Sequence, residues 1–328
     1  MITMTTLTEQ LTKYLEDAHS IEVQALAQLR KAPDIAGDPE LSAIYREHLV
    51  ETEGHERSTR SALERRDAKP ARTKDAVMAI GGKGFVLFAR LQPDTPGKLH
   101  AHSLSYEALE LSSYQLLRGV AERANDEAVV ETADRIAADE GAMMKRLEAT
   151  FDVAVDASLR AVRPDDLQEQ LRKYLADAHA IEAQAIALLE RGPKLAGSER
   201  LERIYEEHLA ETRDHSELLE TRLNALGGDP STLKDAALRL GGLNWAAFFR
   251  GHPDTPGKLA AFARAFEHLE IGGYEQLKRV ARRAGDHETE TLVGQILDDE
   301  RRASQRIAEA FGDAADASLD AVGVTSSR

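Results

Sequence analysis

The 328-residue sequence contains no cysteine. This absence excludes disulfide scaffolds, catalytic thiols and metal sites built from thiolates, such as zinc ribbons and iron–sulfur centres. Any metal bound by the chain must therefore be held by glutamate, aspartate and histidine. Proline and glycine are also scarce, at 10 and 22 residues, while apolar residues make up 42% of the chain. This composition is typical of a folded globular protein and not of a disordered or collagen-like chain.

Two further absences limit the partners of the protein. No apolar run approaches the ~20 residues that a membrane-spanning helix needs, and the opening MITMTTLTEQ lacks the organisation of a secretory signal. We therefore expect a cytoplasmic location and no membrane partner. Positive charge is scarce as well, because 42 lysines and arginines face 57 acidic residues, for a net charge of −15. This balance argues against nucleic-acid binding.

The chain contains the same sequence twice, at a constant offset of 160 positions. LTEQLTKYLEDAHSIEVQA, from Leu7, returns as LQEQLRKYLADAHAIEAQA, from Leu167, and PDTPGKL at 93–99 returns unchanged at 253–259. A repeat of this length is a whole domain. We predict two domains, residues 1–163 and 164–328, which pack on each other as a pseudo-dimer.

Within each repeat, apolar residues recur at steps of three and four, which is the period of a helix. The first repeat predicts helices over 7–29, 41–66 and 95–124, and a fourth helix from Asp126 to beyond Leu147. Residues 67–95 are predicted to form a long crossover with a short extra helix around 76–91. No strand pattern of useful length occurs. The fold class is therefore all-α, with two tandem bundles that have the connectivity of ferritin-like four-helix bundles.

Glutamates and histidines interrupt the apolar stripes of all four helices. In the first repeat these residues are Glu22, His48, Glu51, His55, Glu107, Glu110 and Glu140. Glu22 and Glu51 are equidistant from the first interhelical turn, and Glu110 and Glu140 are equidistant from the last. Residues at equal distance from the turn of an antiparallel pair lie at the same depth, so these carboxylates are expected to converge inside the bundle.

Ionised carboxylates buried together need a compensating charge, since each costs several kcal/mol even after relaxation. One solution is protonation, with raised pKa values. The other is one or two divalent cations, bridged by glutamate with histidine as a nitrogen ligand. Glutamate and histidine without thiolate suit iron or manganese.

The second repeat carries the same residue types at the equivalent positions, which are Glu182, Glu211, His215, Glu267, Glu270 and Glu300. Neighbouring positions have changed, as where Glu56 becomes Ser216. We interpret Glu56 as a solvated charge and His19 and His48 as groups that hydrogen-bond the site. Buried tyrosines, Tyr114 among them, are expected to bond site carboxylates. Five histidines without a counterpart are interpreted as surface residues: His100, His102, His252, His268 and His287.

Four segments in this order resemble the YciE/YciF-like branch of the ferritin-like superfamily, here as a tandem duplication. They are DAHSIEVQAL, HLVETEGH, YEALELSSY and the Asp139-Glu140 step, and the similarity extends from about Leu7 to about Phe151 of each repeat. The resemblance implies a carboxylate-rich centre, read as di-iron, in each bundle. It places Glu22, Glu51, His55, Glu107, Glu110 and Glu140 at or beside the metals.

This sequence departs from the usual ferritin-like pattern, in which glutamate precedes histidine by three positions on two helices. Glu51 and His55 are four positions apart, and Met143 follows Glu140 where a histidine is usual. The predicted centre is thus poorer in histidine than the standard one.

The predicted function is that of a metal-binding protein with one mono- or di-metal site per repeat, holding iron or, alternatively, manganese. Its partners would be O2 or peroxide, in Fe(II) oxidation or peroxide removal of an iron-related or oxidative-stress kind. Such a protein would be a di-iron oxidase or peroxidase-type oxidoreductase. The alternative is a metal-free helical-bundle protein, structural or for interaction, with a protonated glutamate network.

Overall fold

The computed structural model describes residues 6–70, 95–229 and 254–324. These residues are largely helical and include no strand, which confirms the predicted all-α class. The chain divides into two compact units, one formed by the chain up to Leu159 together with the C-terminal residues from Val322, and one by Arg160–Ala321. None of the described helices has the length and the apolar character needed to cross a membrane.

The first unit contains the four long helices that the sequence predicts, together with two short ones. In chain order the helices are α1 (Leu7–Leu29), α2 (Ala32–Ile35), α3 (Pro39–Glu64), α4 (Thr95–Arg123), α5 (Glu127–Ala149) and α6 (Phe151–Leu159). The long helices end within about two residues of the predicted bounds, whereas α2 and α6 were not predicted. The short helix predicted around 76–91 lies outside the described residues.

The second unit repeats this order of helices. After a 3-10 turn at Pro164–Asp166 the helices are α7 (Leu167–Leu189), α8 (Gly192–Leu195), α9 (Glu199–Ala225), α10 (Thr255–Arg283), α11 (His287–Glu309) and α12 (Phe311–Ala321). Its crossover, residues 230–253, also lies outside the described part of the chain.

The four long helices of each unit form a bundle. In the first unit α1 packs on α3 and α4, and α5 packs closely on α4 and more loosely on α3. The order around the bundle is thus α1, α3, α5, α4. The apolar stripes point inward, so that Leu11, Leu15, Leu117, Ile136 and Leu147 are fully buried. Each such side chain contributes about 1.5–3 kcal/mol of burial free energy, which drives the helices together.

Side-chain caps set where the helices begin, and this fixes the depth of every residue on them. Thr6 and Glu9 form a capping box at the start of α1, with Glu9 N donating to Thr6 Oγ1 at 3.2 Å. Asp126 accepts a hydrogen bond from Val129 N at 3.1 Å and so starts α5. Such caps satisfy backbone N–H groups that have no partner within the helix.

The repeated PDTPGKL segment runs into α4, where its proline and glycine hold the bundle end together. The backbone N–H of Gly97 donates to Ser158 Oγ on α6 at 2.8 Å. Pro96 lies against Gly37, whose φ is +71°, and a Cβ at Gly37 would stand 2.7 Å from Pro96 Cγ. The segment therefore ties the α2–α3 turn, α4 and α6 to one another.

Replacing Gly37 with alanine should destabilise the first unit. The left-handed backbone costs an L-residue roughly 1–2 kcal/mol, and the contact with Pro96 costs about 1–3 kcal/mol more. Gly141→Ala is the control, since no atom lies within 4 Å of its added carbon and mid-helix alanine is favoured over glycine by up to about 1 kcal/mol. Urea unfolding of the metal-free protein measures both. A Gly37→Ala midpoint at or above that of Gly141→Ala would contradict the steric and conformational requirement for glycine at position 37.

Candidate metal centre

Buried side chains from all four long helices meet in the middle of the first unit. Their possible ligand atoms form two groups, and within each group these atoms lie within 4.8 Å of one another. One group is His48, Glu107, Glu110 and Glu140, and the other is Glu22, His55 and Glu140. Every one of these residues is at most 2% exposed. Glu140 belongs to both groups, so a single carboxylate connects them.

The second unit contains the same two groups. They are His208, Glu267, Glu270 and Glu300, and Glu182, His215 and Glu300. Glu300 takes the shared position of Glu140. The arrangement therefore exists twice in one chain, although many of the surrounding residues differ.

Each histidine faces the buried ligand groups with one of its two ring nitrogens only. His48 Nε2 lies 2.9 Å from Glu107 Oε2 and 3.5 Å from Glu140 Oε2, and its Nδ1 lies 2.9 Å from Glu51 Oε2. His55 Nδ1 lies 2.9 Å from Glu140 Oε1, and its Nε2 lies 3.1 Å from Asp139 Oδ2. Thus each imidazole has an inner nitrogen at the carboxylate group and an outer nitrogen held by a carboxylate nearer the surface.

The outer contacts are also present in the second unit. His208 Nδ1 lies 3.2 Å from Glu211 Oε2, and His215 Nε2 lies 3.4 Å from Asp299 Oδ2. A carboxylate bound to the far nitrogen of a metal-ligating histidine fixes its tautomer and ring orientation. Glu51, Asp139 and their counterparts are placed for this role.

The inward-facing atoms lack hydrogen-bond partners within the described residues, in both units. In the first unit these atoms are Glu22 Oε2, His48 Nε2, His55 Nδ1, Glu107 Oε2 and both carboxylate oxygens of Glu110 and Glu140. Some of these atoms are close to one another, but they are not aligned as donor and acceptor. Buried polar atoms in native proteins almost always have a partner. Nitrogen and carboxylate oxygen atoms that face a common volume without bonding one another are the donor set that a divalent cation requires, so the residues fit such an ion.

Burial makes the carboxylates hold protons when no cation is present. Desolvation, and then the charge of Glu140, raise the pKa of Glu22 to about 8. Desolvation, with Glu140 and Glu22 nearby, also holds the pKa of Glu110 well above its usual range. Desolvation outweighs the close contact with His55 and raises the pKa of Glu140 to about 7. Glu182 repeats the behaviour of Glu22, with a pKa of about 8.

The environment of the cluster also raises the pKa values of the two histidines. Burial alone would lower the pKa of His48, but the charge of nearby Glu107 and the contacts with Glu107 and Glu51 raise it well above its ordinary value. Contacts with Glu140 likewise outweigh burial and raise the pKa of His55 to about 9. A cation that enters the group must therefore displace protons from both imidazole and carboxylate.

Glu51, a predicted ligand, lies outside both groups. Its carboxylate accepts from His48 Nδ1 and, at 2.6 Å, from an Arg146 guanidinium nitrogen, and its side chain is 37% exposed. These two bonds lower the pKa of Glu51 to about 2. Glu211 makes the equivalent contacts with His208 and Arg306. The structure thus places Glu51 around His48, and its assignment as a metal ligand stays a prediction.

Tyrosines cover the α1–α4 side of the group. The Tyr114 hydroxyl donates to Glu22 Oε1, as expected from the sequence, and Tyr274 does the same to Glu182. The Tyr106 hydroxyl donates to the carbonyl oxygen of Ile21 at 3.0 Å. Tyr114 therefore occupies one oxygen of Glu22 and leaves the other facing His55.

The prediction that unmatched histidines lie at the surface was wrong for His100 and His268, which are buried, and for His102, whose Nε2 is buried. It was right for His287, which is exposed, and His252 lies outside the described residues. His100 Nε2 bonds the Leu147 carbonyl at 2.8 Å, and its Nδ1 lies 3.1 Å from the Tyr45 hydroxyl. His268 Nδ1 lies 2.9 Å from the carbonyl oxygen of Arg264. The error arose because a residue missing from one repeat can still be packed into the core of the other.

The interpretation of Glu56 as a solvated charge was also wrong. Glu56 is only 7% exposed, and its carboxylate lies 3.0 Å from His19 Nε2 and also bonds Arg60. Its helical position places it off the apolar stripe, but His19 on α1 draws it into the α1–α3 contact.

Sequence reasoning missed the inner position of His48 and the contact of Asp139. A signal for His48 was present, because it precedes His55 by seven positions and so lies two turns away on the same face of the helix. Asp139 is off the stripe, and only its return as Asp299 beside Glu300 indicated a role.

One protein-family model, described as "Domain of unknown function (DUF892)", matches residues 6–160 and again residues 166–319. The two matches correspond to the two repeats and together cover most of the chain. DUF892 is a family of the ferritin-like superfamily. No solved structure matches the chain.

The stability of the metal-free protein should fall as the pH rises from about 5 to 9. Folded Glu22, Glu140 and His55 retain protons, with pKa values of about 8, 7 and 9, that the unfolded chain has already released. Stability is therefore greatest below the unfolded pKa values and falls by about 1.4 kcal/mol per pH unit for each extra proton held.

Urea unfolding at several pH values in chelator measures this slope. Saturating Mn2+ should reverse its sign, because the ion replaces the protons. Stability that rises with pH in chelator would contradict the proton-holding cluster.

Proposed function

The chain belongs to the DUF892 family, as two domains in tandem, and we propose that each domain holds a carboxylate-rich di-metal centre. This centre oxidises Fe(II) or removes peroxide. The observation that carries this proposal is the set of buried, unpartnered nitrogen and oxygen atoms around Glu140 and, again, around Glu300. Membership of a ferritin-like family supports it but does not by itself decide the function.

The charges of the cluster favour two divalent cations in each domain. Four carboxylates and two neutral imidazoles balance the charge of two such ions. His48, Glu107, Glu110 and Glu140 would hold one ion, and Glu22, His55 and Glu140 would hold the other. Carboxylate and imidazole without thiolate suit iron, and also manganese. Bound iron supplies one-electron redox chemistry toward O2 or peroxide.

The protein's own part in this chemistry is to position the ligands and to exclude water. Glu51 and Asp139 would keep the outer nitrogens of His48 and His55 protonated, so that the inner nitrogens are free to ligate. Tyr114 holds Glu22 by one oxygen. The burial of every ligand keeps the reaction away from bulk solvent.

The finer predictions extend this proposal. We propose that the chain is of the YciE/YciF-like branch, with a cytoplasmic role in iron handling or oxidative stress. We also propose a domain boundary at residues 163 and 164, and packing of the two domains as a pseudo-dimer.

The rival function is a metal-free bundle whose acids stay protonated. The raised pKa values of Glu22 and Glu110 favour it, because protons can replace cations in the cluster. Metal binding therefore decides between the two functions.

Glu140→Gln should abolish metal binding in the first domain and leave the second intact, because the shared carboxylate serves both positions of one domain only. We expect the number of Mn2+ ions bound per chain, measured by calorimetry and elemental analysis, to fall by half. Glu140→Gln combined with Glu300→Gln should bind none. Glu131→Gln is the control, since its side chain is exposed and outside the group. Full binding by the double variant, or none by the wild-type chain, would contradict the proposal.

Anaerobic loading with Fe(II) followed by O2 or peroxide tests the chemistry. The wild-type protein should develop the near-ultraviolet absorption of Fe(III) bound by oxygen ligands much faster than Fe(II) in buffer does. The double variant Glu140→Gln, Glu300→Gln should react at the buffer rate, and Glu131→Gln at the wild-type rate. If the wild-type chain binds iron but reacts no faster than buffer, the oxidase and peroxidase functions are both wrong.

A further inference from the structure

We infer that the two centres, although built from the same inner residues, take up cations at different rates, because the entrance to the second centre carries arginines that the entrance to the first lacks. This inference rests on the proposed metal-binding function. It concerns only residues of this chain and the way an ion reaches them.

We take the seam between α3 and α5 as the route by which an ion reaches the cluster, because partly exposed side chains contact the cluster histidines there. Both outer histidine contacts lie there, through Glu51 and Asp139, whose side chains are 37% and 44% exposed. In this seam the helices pack less tightly than at the other three contacts of the bundle. On the α1–α4 side, by contrast, Tyr106 and Tyr114 are hydrogen-bonded across the helices.

A cavity of about 160 Å³ opens on the equivalent seam of the second unit, between α9 and α11. It is lined by Arg200, Arg203, Ile204, Glu207, Arg306 and Glu309. Arg306 also bonds Glu211, which in turn holds the outer nitrogen of His208. The cavity is therefore connected to a histidine of the centre through Arg306 and Glu211, and we call it the second entrance.

The two entrances differ in charge. Three arginines face two glutamates at the second entrance, whereas the equivalent positions of the first unit are Glu40, Ala43, Ile44, Glu47, Arg146 and Ala149. The first entrance thus has one arginine against two glutamates. Arg200 is paired with Asp313 at 3.0 Å, but Arg203 is exposed and makes no ion pair with any described residue.

Positive charge at an entrance lowers the local concentration of a divalent cation and slows its entry. The expected difference in uptake rate between the two centres is roughly three- to tenfold at low ionic strength. Salt screens this interaction, so the difference should shrink toward none at about 0.5 M salt.

The test uses the full chain with one working centre at a time. Glu140→Gln leaves only the second centre, and Glu300→Gln leaves only the first. Co2+ is the probe, because its visible absorption on binding reports uptake by stopped-flow without any turnover. In the Glu140→Gln background, R200E/R203A gives positions 200 and 203 of the second entrance the residues of the first, Glu40 and Ala43.

R172E/K173A is the matched control, since it changes the net charge by the same amount on α7. That helix does not border the seam between α9 and α11. Arg172 is half-buried and Lys173 is exposed, where it pairs with Glu169 on the same helix.

At low salt we expect the first centre to load faster than the second. We also expect R200E/R203A to raise the second rate about three- to tenfold, and R172E/K173A to change it less than twofold. Equal rates for the two centres, or an equal effect of the control, would overturn the inference while leaving the proposed function in place. No Co2+ binding by either single-centre variant or by the wild-type chain would overturn the proposed function and this inference with it.

Discussion

The structure depends on compensating the charge of four carboxylates buried around two imidazoles in each unit. Removing these groups from water costs several kcal/mol for each ionised group, and mutual repulsion adds to that cost. The raised pKa values of Glu22, Glu110 and Glu140 reflect this cost, because they mean that the protonated, neutral form of each carboxyl is favoured. Two divalent cations would provide the same compensation with stronger bonds. A cluster without either would oppose the apolar packing that surrounds it.

The rest of the fold serves to keep these groups together. Caps at Thr6 and Asp126 set the depth of the helices, and the contact of Pro96 with Gly37 ties α4 to the α2–α3 turn. Contacts around the cluster then fix individual rings and carboxylates, as Glu51 does for His48. The two repeats show which residues the cluster requires, because its inner residues are the same in both units while the charges at the seam differ.

Periodicity predicted the long helices and most of the inner residues, since a glutamate on an apolar stripe must point where its neighbours point. The rule that residues at equal distance from an antiparallel turn lie at the same depth correctly predicted that Glu110 and Glu140 are close together. It could not place the Glu51 carboxylate, because the direction of that side chain is decided by Arg146 on another helix. The burial of His100 likewise depends on Tyr45 and Leu147, which are far from it in the sequence. Contacts of this kind follow from tertiary packing, which a single sequence does not contain.

Anomalous diffraction from a crystal grown with Mn2+ tests the central claim most directly. We expect two manganese peaks in each unit, on either side of the Glu140 and Glu300 carboxylates, with His48, His55 and their counterparts as nitrogen ligands. A well-ordered structure at saturating Mn2+ without a peak beside either carboxylate, or with these glutamates turned outward to solvent, would contradict it.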